Sequence, residues 1–102
     1  MNVSKELILC IVNAGFTDIV MNVARREGAM GGTIIHARGT AIEDAENKFG
    51  IQVNPEKDLV LLVVDAKLKD AIMKAIYSEA GIESKAGSIA FSLPVTDSIG
   101  IK

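Results

Sequence analysis

Hydrophobic and polar positions along the 102-residue chain follow two alternating periods, which predict strands and helices in turn. Residues 6–13, ELILCIVN, are apolar at both odd and even positions, as is typical of a strand buried on both faces. In residues 14–29, Ile19, Val20 and Val23 recur at helical spacing. We expect a helix there, capped by Thr17 or Asp18 and ended by Gly28.

The same patterns continue to the end of the chain. The β-branched run Thr33–Ile35, with glycines on both sides, predicts a second strand. Residues 59–64, LVLLVV, are apolar on both faces and predict a strand in the centre of a sheet. Residues 66–80 carry an apolar stripe and predict an amphipathic helix ended by Gly81. A last strand is predicted at Ile89–Leu93, before Pro94.

The resulting order, β-α-β-β-α-β, predicts an α+β fold within one domain that spans residues 1–102. It is the ferredoxin-like sandwich, in which four antiparallel strands form one sheet and both helices pack on one face. Residues 40–49 are charged and small, and we expect an exposed loop. Nothing in the order covers the second face of the sheet, and the apolar run 59–64 must leave side chains there. A partner surface is therefore predicted, most simply for self-association.

Composition and charge remove several classes of function. The formal net charge is −2, with acidic and basic residues interspersed, so no basic stripe is available to bind nucleic acid. No apolar run is long enough to cross a bilayer, and the first ten residues do not resemble a leader, so we expect a cytoplasmic protein without membrane insertion. Cys10 is the only cysteine and lies in an apolar run, which predicts a buried, unreactive thiol.

Candidate chemistry is sparse, because His36 is the only histidine. Alternation along the second strand places His36 and Arg38 on one face and Thr33 on the other. The pair could form a cationic corner for an anionic ligand, but the residues alone favour a solvated edge strand. The acidic residues of segment 43–46 lack the spacing of a calcium loop, and no metal site is predicted. We expect no catalytic residue.

The loop around Gly87 is the second candidate. It precedes a strand and lacks the Lys-Ser or Lys-Thr pair of nucleotide hydrolases, which excludes a Walker-type site. Gly87 could still admit a ligand phosphate against backbone N–H groups, with Lys85 as the nearest cation. From the residues alone, a plain turn is favoured.

Four stretches together resemble the nitrogen-regulatory P-II signalling family, over residues 16–95. They are GGTIIHARGT, FGIQVNPEKDLVLLVV, KDAIMKAI and AGSIAFSLPV, in that order along the chain. The resemblance implies a homotrimer whose sheets line a central barrel and whose inter-subunit clefts bind an adenine nucleotide (ATP, ADP or AMP) as an effector. It implies regulation of a target protein, a transporter or an enzyme of nitrogen metabolism, without an obligatory cofactor.

By position, the resemblance places Thr33 and Gly39 near the nucleotide and Gly87 in the phosphate-contacting loop. The predicted ligand-binding residues are Thr33, His36, Arg38, Gly39, Lys85, Gly87, Ser88 and Ile89. The sequence also departs from the family. The protruding loop is reduced to about ten residues between Gly39 and Gly50 and has no tyrosine, Ser88 replaces a lysine, and the arginine-rich C-terminal segment is missing.

Two other classes of protein share the predicted fold. A ferredoxin-fold amino-acid-binding regulatory domain would be a dimer with a glycine at the first strand–helix junction, which Gly15 provides. An acylphosphatase-like enzyme would need an arginine near the first loop, where residues 13–16 are Asn, Ala, Gly and Phe. The P-II-like regulator is the leading hypothesis, and the enzyme ranks last.

Overall fold

The structure, a computed structural model, describes residues 4–40 and 55–101. Its elements are β1 (Lys5–Asn13), α1 (Thr17–Arg26), β2 (Thr33–Arg38), β3 (Glu56–Asp65), α2 (Ala66–Ala80) and β4 (Ile89–Pro94). This is the predicted order of strands and helices. The predicted loop 40–49 lies, apart from Thr40, outside the described residues.

The four strands form one antiparallel sheet in the order β2-β3-β1-β4. β1 and β3 occupy the centre, and Leu9 lies opposite both Leu61 and Phe91. The apolar run 59–64 thus lies in a central strand, as predicted. β1 is central too, but the prediction that it is buried on both faces is met on only one of them, since its alternate residues are only partly buried within one chain. The α+β, ferredoxin-like prediction is confirmed.

Both helices pack on one face of the sheet. The side chains of Ile8, Cys10 and Val12 on β1 point to this face and are fully buried. Across the sheet from them, β3 contributes Val60 and Leu62, also fully buried. From α2, Ile72 and Ile76 close the core. Complete burial of a large aliphatic side chain contributes roughly 1.5–3 kcal/mol, so these contacts between sheet and helix stabilise the monomer strongly.

The expected cap of α1 is wrong. The helix begins after Phe16, and neither Thr17 nor Asp18 precedes it, so no side chain caps its first N–H groups. Asp18 instead lies in the first turn, where a negative charge interacts favourably with the helix dipole. The other end agrees with prediction, since Gly28 follows the helix with φ of +113°, a conformation that favours glycine. α2 ends at Ala80, before Gly81, as predicted.

Cys10 should be almost unreactive in the folded protein. Burial raises the pKa of its thiol to about 11, an effect that a hydrogen bond with Ser88 only partly offsets. Against the ordinary pKa of 9.0, this leaves ~100-fold less thiolate at pH 8, and the thiol is also shielded from reagents. Ellman's reagent should therefore label the native chain at least ~100-fold more slowly than the chain unfolded in guanidinium chloride. Equal rates in the two states would contradict the buried position.

Candidate functional site

All four strands meet in a polar region at one end of the sheet, where β1 and β2 end and β3 and β4 begin. A row of backbone hydrogen bonds crosses this end. The Gly39 N–H donates to the Pro55 carbonyl (2.7 Å), and the Ala14 N–H donates to the Glu56 carbonyl (3.1 Å). The Asn13 N–H donates to the Ala86 carbonyl (2.9 Å). We call this row, with its side chains, the polar end.

The side chain of Asn13 holds two parts of the polar end together. Its carbonyl oxygen accepts a hydrogen bond from Lys57 Nζ (2.6 Å), and its Nδ2 donates to the Lys85 carbonyl (3.0 Å). Lys57 lies directly opposite Asn13 in the β1–β3 ladder. Asn13 therefore ties the loop before β4 to the centre of the sheet, a role that the sequence analysis missed.

Gly87 is required by the shape of this loop. Its φ is +55°, and a Cβ at this position would lie 2.8 Å from Asn13 Nδ2, so a side chain would displace the amide. The Gly87 N–H donates to the Ser84 carbonyl (3.1 Å) and is used within the turn. Lys85 is exposed. The loop is thus a well-formed turn that presents the Lys85 side chain rather than the Gly87 N–H.

The last two predicted residues of the loop lie on opposite faces of the sheet. Ser88 is buried, and its hydroxyl donates to the Ala80 carbonyl (2.5 Å) at the end of α2. Ile89 lies opposite Ile11 on the face away from the helices and is half-exposed. Within one chain, Ser88 fastens α2 to β4 and is almost fully buried.

His36 and Arg38 share one face of the edge strand β2, as the alternation predicted. The register pairs His36 with Asp58 and Arg38 with Glu56 on β3, which places the two basic side chains on the helix-bearing face. The helices pack over the other strands, so His36, Arg38 and the preceding Ile34 are all exposed. We call His36 and Arg38 the cationic corner.

Asp58 lies beneath the cationic corner. Its side chain is only 6% exposed, and its Oδ1 is 2.5 Å from Nδ1 of His36, whose own side chain is 91% exposed. The sequence analysis missed this carboxylate. A signal was present, because Asp58 directly precedes the apolar run and has the same parity as the buried residues Val60 and Leu62.

The predicted ligand-binding residues form two groups within one chain. Gly39 and the cationic corner lie at the β2 edge of the sheet, while Lys85 and Gly87 lie next to β4. Two strands separate these edges, a distance of roughly 14 Å at the usual strand spacing, although both groups are at or near the polar end. Thr33 lies five residues before Arg38, roughly 17 Å away along the strand, and on the opposite face. Their roles in binding stay predictions.

The sheet face away from the helices is apolar across all four strands, and we call it the open face. Its large apolar residues are Leu7, Leu9, Ile11, Ile35, Leu59, Leu61, Val63, Ile89, Phe91 and Leu93. Those on the edge strands are strongly exposed, for example Phe91 at 46% and Ile35 at 48%. No described helix covers this face. A contiguous apolar surface of this kind is typical of a protein–protein interface.

Polar pairs close both ends of the open face. At one end, Lys5 Nζ lies 2.5 Å from Asp65 Oδ1, and this hydrogen bond lowers the pKa of the Asp65 carboxyl. At the other end, Lys57 contacts Asn13 as part of the polar end. The apolar surface is therefore bounded along the strands and open only at the sheet edges.

A shallow apolar groove of about 280 Å³ lies between α2 and β4. It is lined by Met73, Ile76, Tyr77, Ile82, Ser88, Ile89 and Ala90. Among the residues described, no three His, Cys, Asp or Glu side chains are grouped so that they could hold a metal ion. Within the same residues, neither helix has the length and apolar character needed to cross a membrane.

Comparison with known proteins gives a consistent answer on the fold. No protein-family model matches the chain, and no curated protein matches its sequence. Among solved structures, a Thermus thermophilus protein described as PII-like in signalling is 19% identical, with a TM-score of 0.70 over 91% of this chain and 87% of that chain. Arabidopsis thaliana PII bound to citrate is 20% identical, with a TM-score of 0.71 over 98% and 82% of the two chains.

Two further solved structures show how far the structural similarity can be interpreted. The Bacillus subtilis GlnK–ATP complex is 14% identical, with a TM-score of 0.73 over 97% of this chain and 88% of that chain. A Bacillus cereus protein related to NIF3 is also 14% identical, with a TM-score of 0.71, but the match covers 93% of this chain and only 26% of that one. The same architecture thus also occurs inside a longer protein of another description. At such low identities the likeness establishes the fold, and the chain has the fold of the P-II signalling proteins.

Proposed function

We propose that the chain is a P-II-like signal-transduction protein, a homotrimer that binds an adenine nucleotide or a related anionic metabolite in clefts between its subunits. Ligand binding would change the activity of a partner protein, by resemblance a transporter or an enzyme of nitrogen metabolism. The observation that carries this proposal is the open face, an apolar surface as wide as the whole sheet in a chain with the P-II fold.

A ring of subunits would explain both the open face and the separation of the candidate residues. The two sheet edges differ, since β2 carries the cationic corner and β4 follows the Gly87 loop. Head-to-tail contact of unlike edges generates a closed ring when the rotation between subunits closes. In such a ring, the cationic corner of one subunit would meet the Lys85 loop of the next. The open faces would then be buried together at the centre.

The charges at these edges favour an anionic ligand. Arg38 and Lys85 are both exposed, and His36 lies beside Arg38. The ATP bound to Bacillus subtilis GlnK and the citrate bound to Arabidopsis PII are anions, which supports this class of effector. Residues 40–49, the predicted loop, follow the cationic corner and Gly39 in sequence. A ligand that favours one state of this segment would thereby alter a partner surface.

Two measurements test the proposal. Light scattering coupled to gel filtration should give a mass of three times 10.8 kDa for the purified chain. Calorimetric titration with ATP, ADP, AMP, cyclic AMP and citrate should detect binding of at least one of them. A stable dimer would favour the amino-acid-binding regulatory domain instead. A trimer that binds none of the five compounds would contradict the proposed effector class.

Arg38→Ala should weaken binding of the effector found in that screen by roughly 10- to 100-fold, because a charge-assisted hydrogen bond contributes about 1.5–3 kcal/mol. The affinity is measured by calorimetry at constant ionic strength. Arg25→Ala is the matched control, since Arg25 is an exposed arginine in the last turn of α1. Equal losses in both variants would indicate a general charge effect and contradict a specific contact at Arg38.

A further inference from the structure

The contact between His36 and Asp58 combines a buried carboxylate with an exposed imidazole. Burying a carboxylate is costly unless it is paired and hydrogen-bonded, and the 2.5 Å contact with His36 Nδ1 provides such a partner for Asp58. Pairing with this carboxylate does not require the imidazole to be exposed, because the contact involves only one ring nitrogen. His36 instead projects from the edge strand with 91% of its side chain exposed.

Asp58 determines which ring nitrogen of His36 can meet a ligand. An ionised carboxylate only accepts hydrogen bonds, so the nitrogen that contacts Asp58, Nδ1, must carry a proton. In a neutral imidazole the second nitrogen, Nε2, then holds a lone pair and acts as an acceptor. The carboxylate also fixes the orientation of the ring on the strand. Nε2 is thus the ring atom left to contact a bound molecule.

We propose that Asp58 is a positioning residue that holds His36 as a hydrogen-bond acceptor, so that the cationic corner selects ligands with a hydroxyl or amino group beside an anionic group. Arg38 supplies the anion contact from the same strand face, two residues and roughly 6.7 Å away. Hydroxy acids and ribonucleotides carry both kinds of group, whereas fully ionised polycarboxylates without a hydroxyl lack the donor. This inference rests on the proposed effector binding and states which ligands the effector site would prefer.

The first test reads the tautomer in the ligand-free protein. His36 is the only histidine, so the imidazole signals in a long-range ¹H–¹⁵N NMR spectrum need no assignment. At pH 8, the wild type should show a protonated Nδ1 and an unprotonated Nε2. Asp58→Ala should shift the ring towards the Nε2–H tautomer that free histidine prefers, while Asp58→Asn, which retains an acceptor oxygen, should largely preserve the wild-type signals. A wild-type ring in the Nε2–H form would overturn the proposal.

The second test compares ligands that differ only in the donor. Citrate and tricarballylate have the same three carboxylates, but only citrate has a hydroxyl. In the second pair, ATP has two ribose hydroxyls that 2′,3′-dideoxy-ATP lacks. The wild type should prefer the hydroxylated member of at least one pair by about 10-fold, and the preference should vanish in His36→Phe and Asp58→Ala. Amide NMR spectra establish that these variants are folded.

The two proposals fail in different ways. Binding of citrate or ATP without any preference for the hydroxyl, or with a preference that survives in His36→Phe, overturns the role of His36 and leaves the effector site intact. If the wild type binds neither citrate nor ATP, the specificity is overturned, and the effector site is overturned as well only if ADP, AMP and cyclic AMP also fail to bind.

Discussion

Replacing Leu9 by Asp is expected to leave the protein monomeric. Leu9 occupies the middle of the open face, directly opposite Leu61 on β3 and Phe91 on β4. In the proposed trimer it would be buried against other subunits, where an unpaired carboxylate costs several kcal/mol per copy. Sedimentation velocity should show the mass falling from three chains to one chain of 10.8 kDa.

Two further variants test whether loss of the trimer is specific to substitutions on the open face. Phe91→Asp changes the same surface on the edge strand β4, where the wild-type ring is already 46% exposed, so a folding defect is less of a concern. Tyr77→Asp places the same charge on the helix side, at a residue that is 76% exposed, and should remain trimeric. Trimers that persist in both Leu9→Asp and Phe91→Asp would contradict assembly through the open face.

The elements of the fold could be predicted because their hydrophobic periods are clear. The predicted first residues of some strands and helices were less accurate, and this has a physical cause. β3 begins at Glu56, three residues before the apolar run, because Lys57 and Asp58 pair with both neighbouring strands and Glu56 pairs with Arg38 on β2. Hydrophobic patterning reports burial and not backbone pairing, so it detected only the apolar part of this strand. α1 begins directly after the aromatic Phe16, which packs against the core and provides no capping group.

The candidate site was less accessible to prediction, because it depends on contacts between distant parts of the chain. Alternation along β2 sufficed to place His36 and Arg38 together. It could not reveal that Asp58 lies beneath His36, since that requires the register between β2 and β3. By resemblance, Gly87 was predicted to be a phosphate-loop residue. Within the chain, a glycine is needed there because the side chain of Asn13 lies too close for a Cβ. A residue type can match a family pattern for a reason that only the tertiary contacts disclose.

The core of the monomer provides the second large effect. Leu62→Ala should lower the free energy of unfolding by about 2–5 kcal/mol, because the wild-type side chain is fully buried and its removal leaves a cavity. The backbone of Gly32 passes close to this side chain, since a Cβ on Gly32 would lie 2.7 Å from Leu62 Cδ2.

The measurement requires a monomer, because the apparent stability of an oligomer depends on protein concentration. Urea unfolding is therefore followed in the Leu9→Asp background. Val63→Ala is the matched control, one residue along β3 but on the open face, where Val63 is 37% exposed, and it should cost less than about 1 kcal/mol. Since a domain of this size is stabilised by only about 5–15 kcal/mol in total, Leu62→Ala should be the most damaging of these truncations. Similar losses for both variants would mean that the two faces of the sheet are equally buried in the monomer, and the open face would then not be free to assemble.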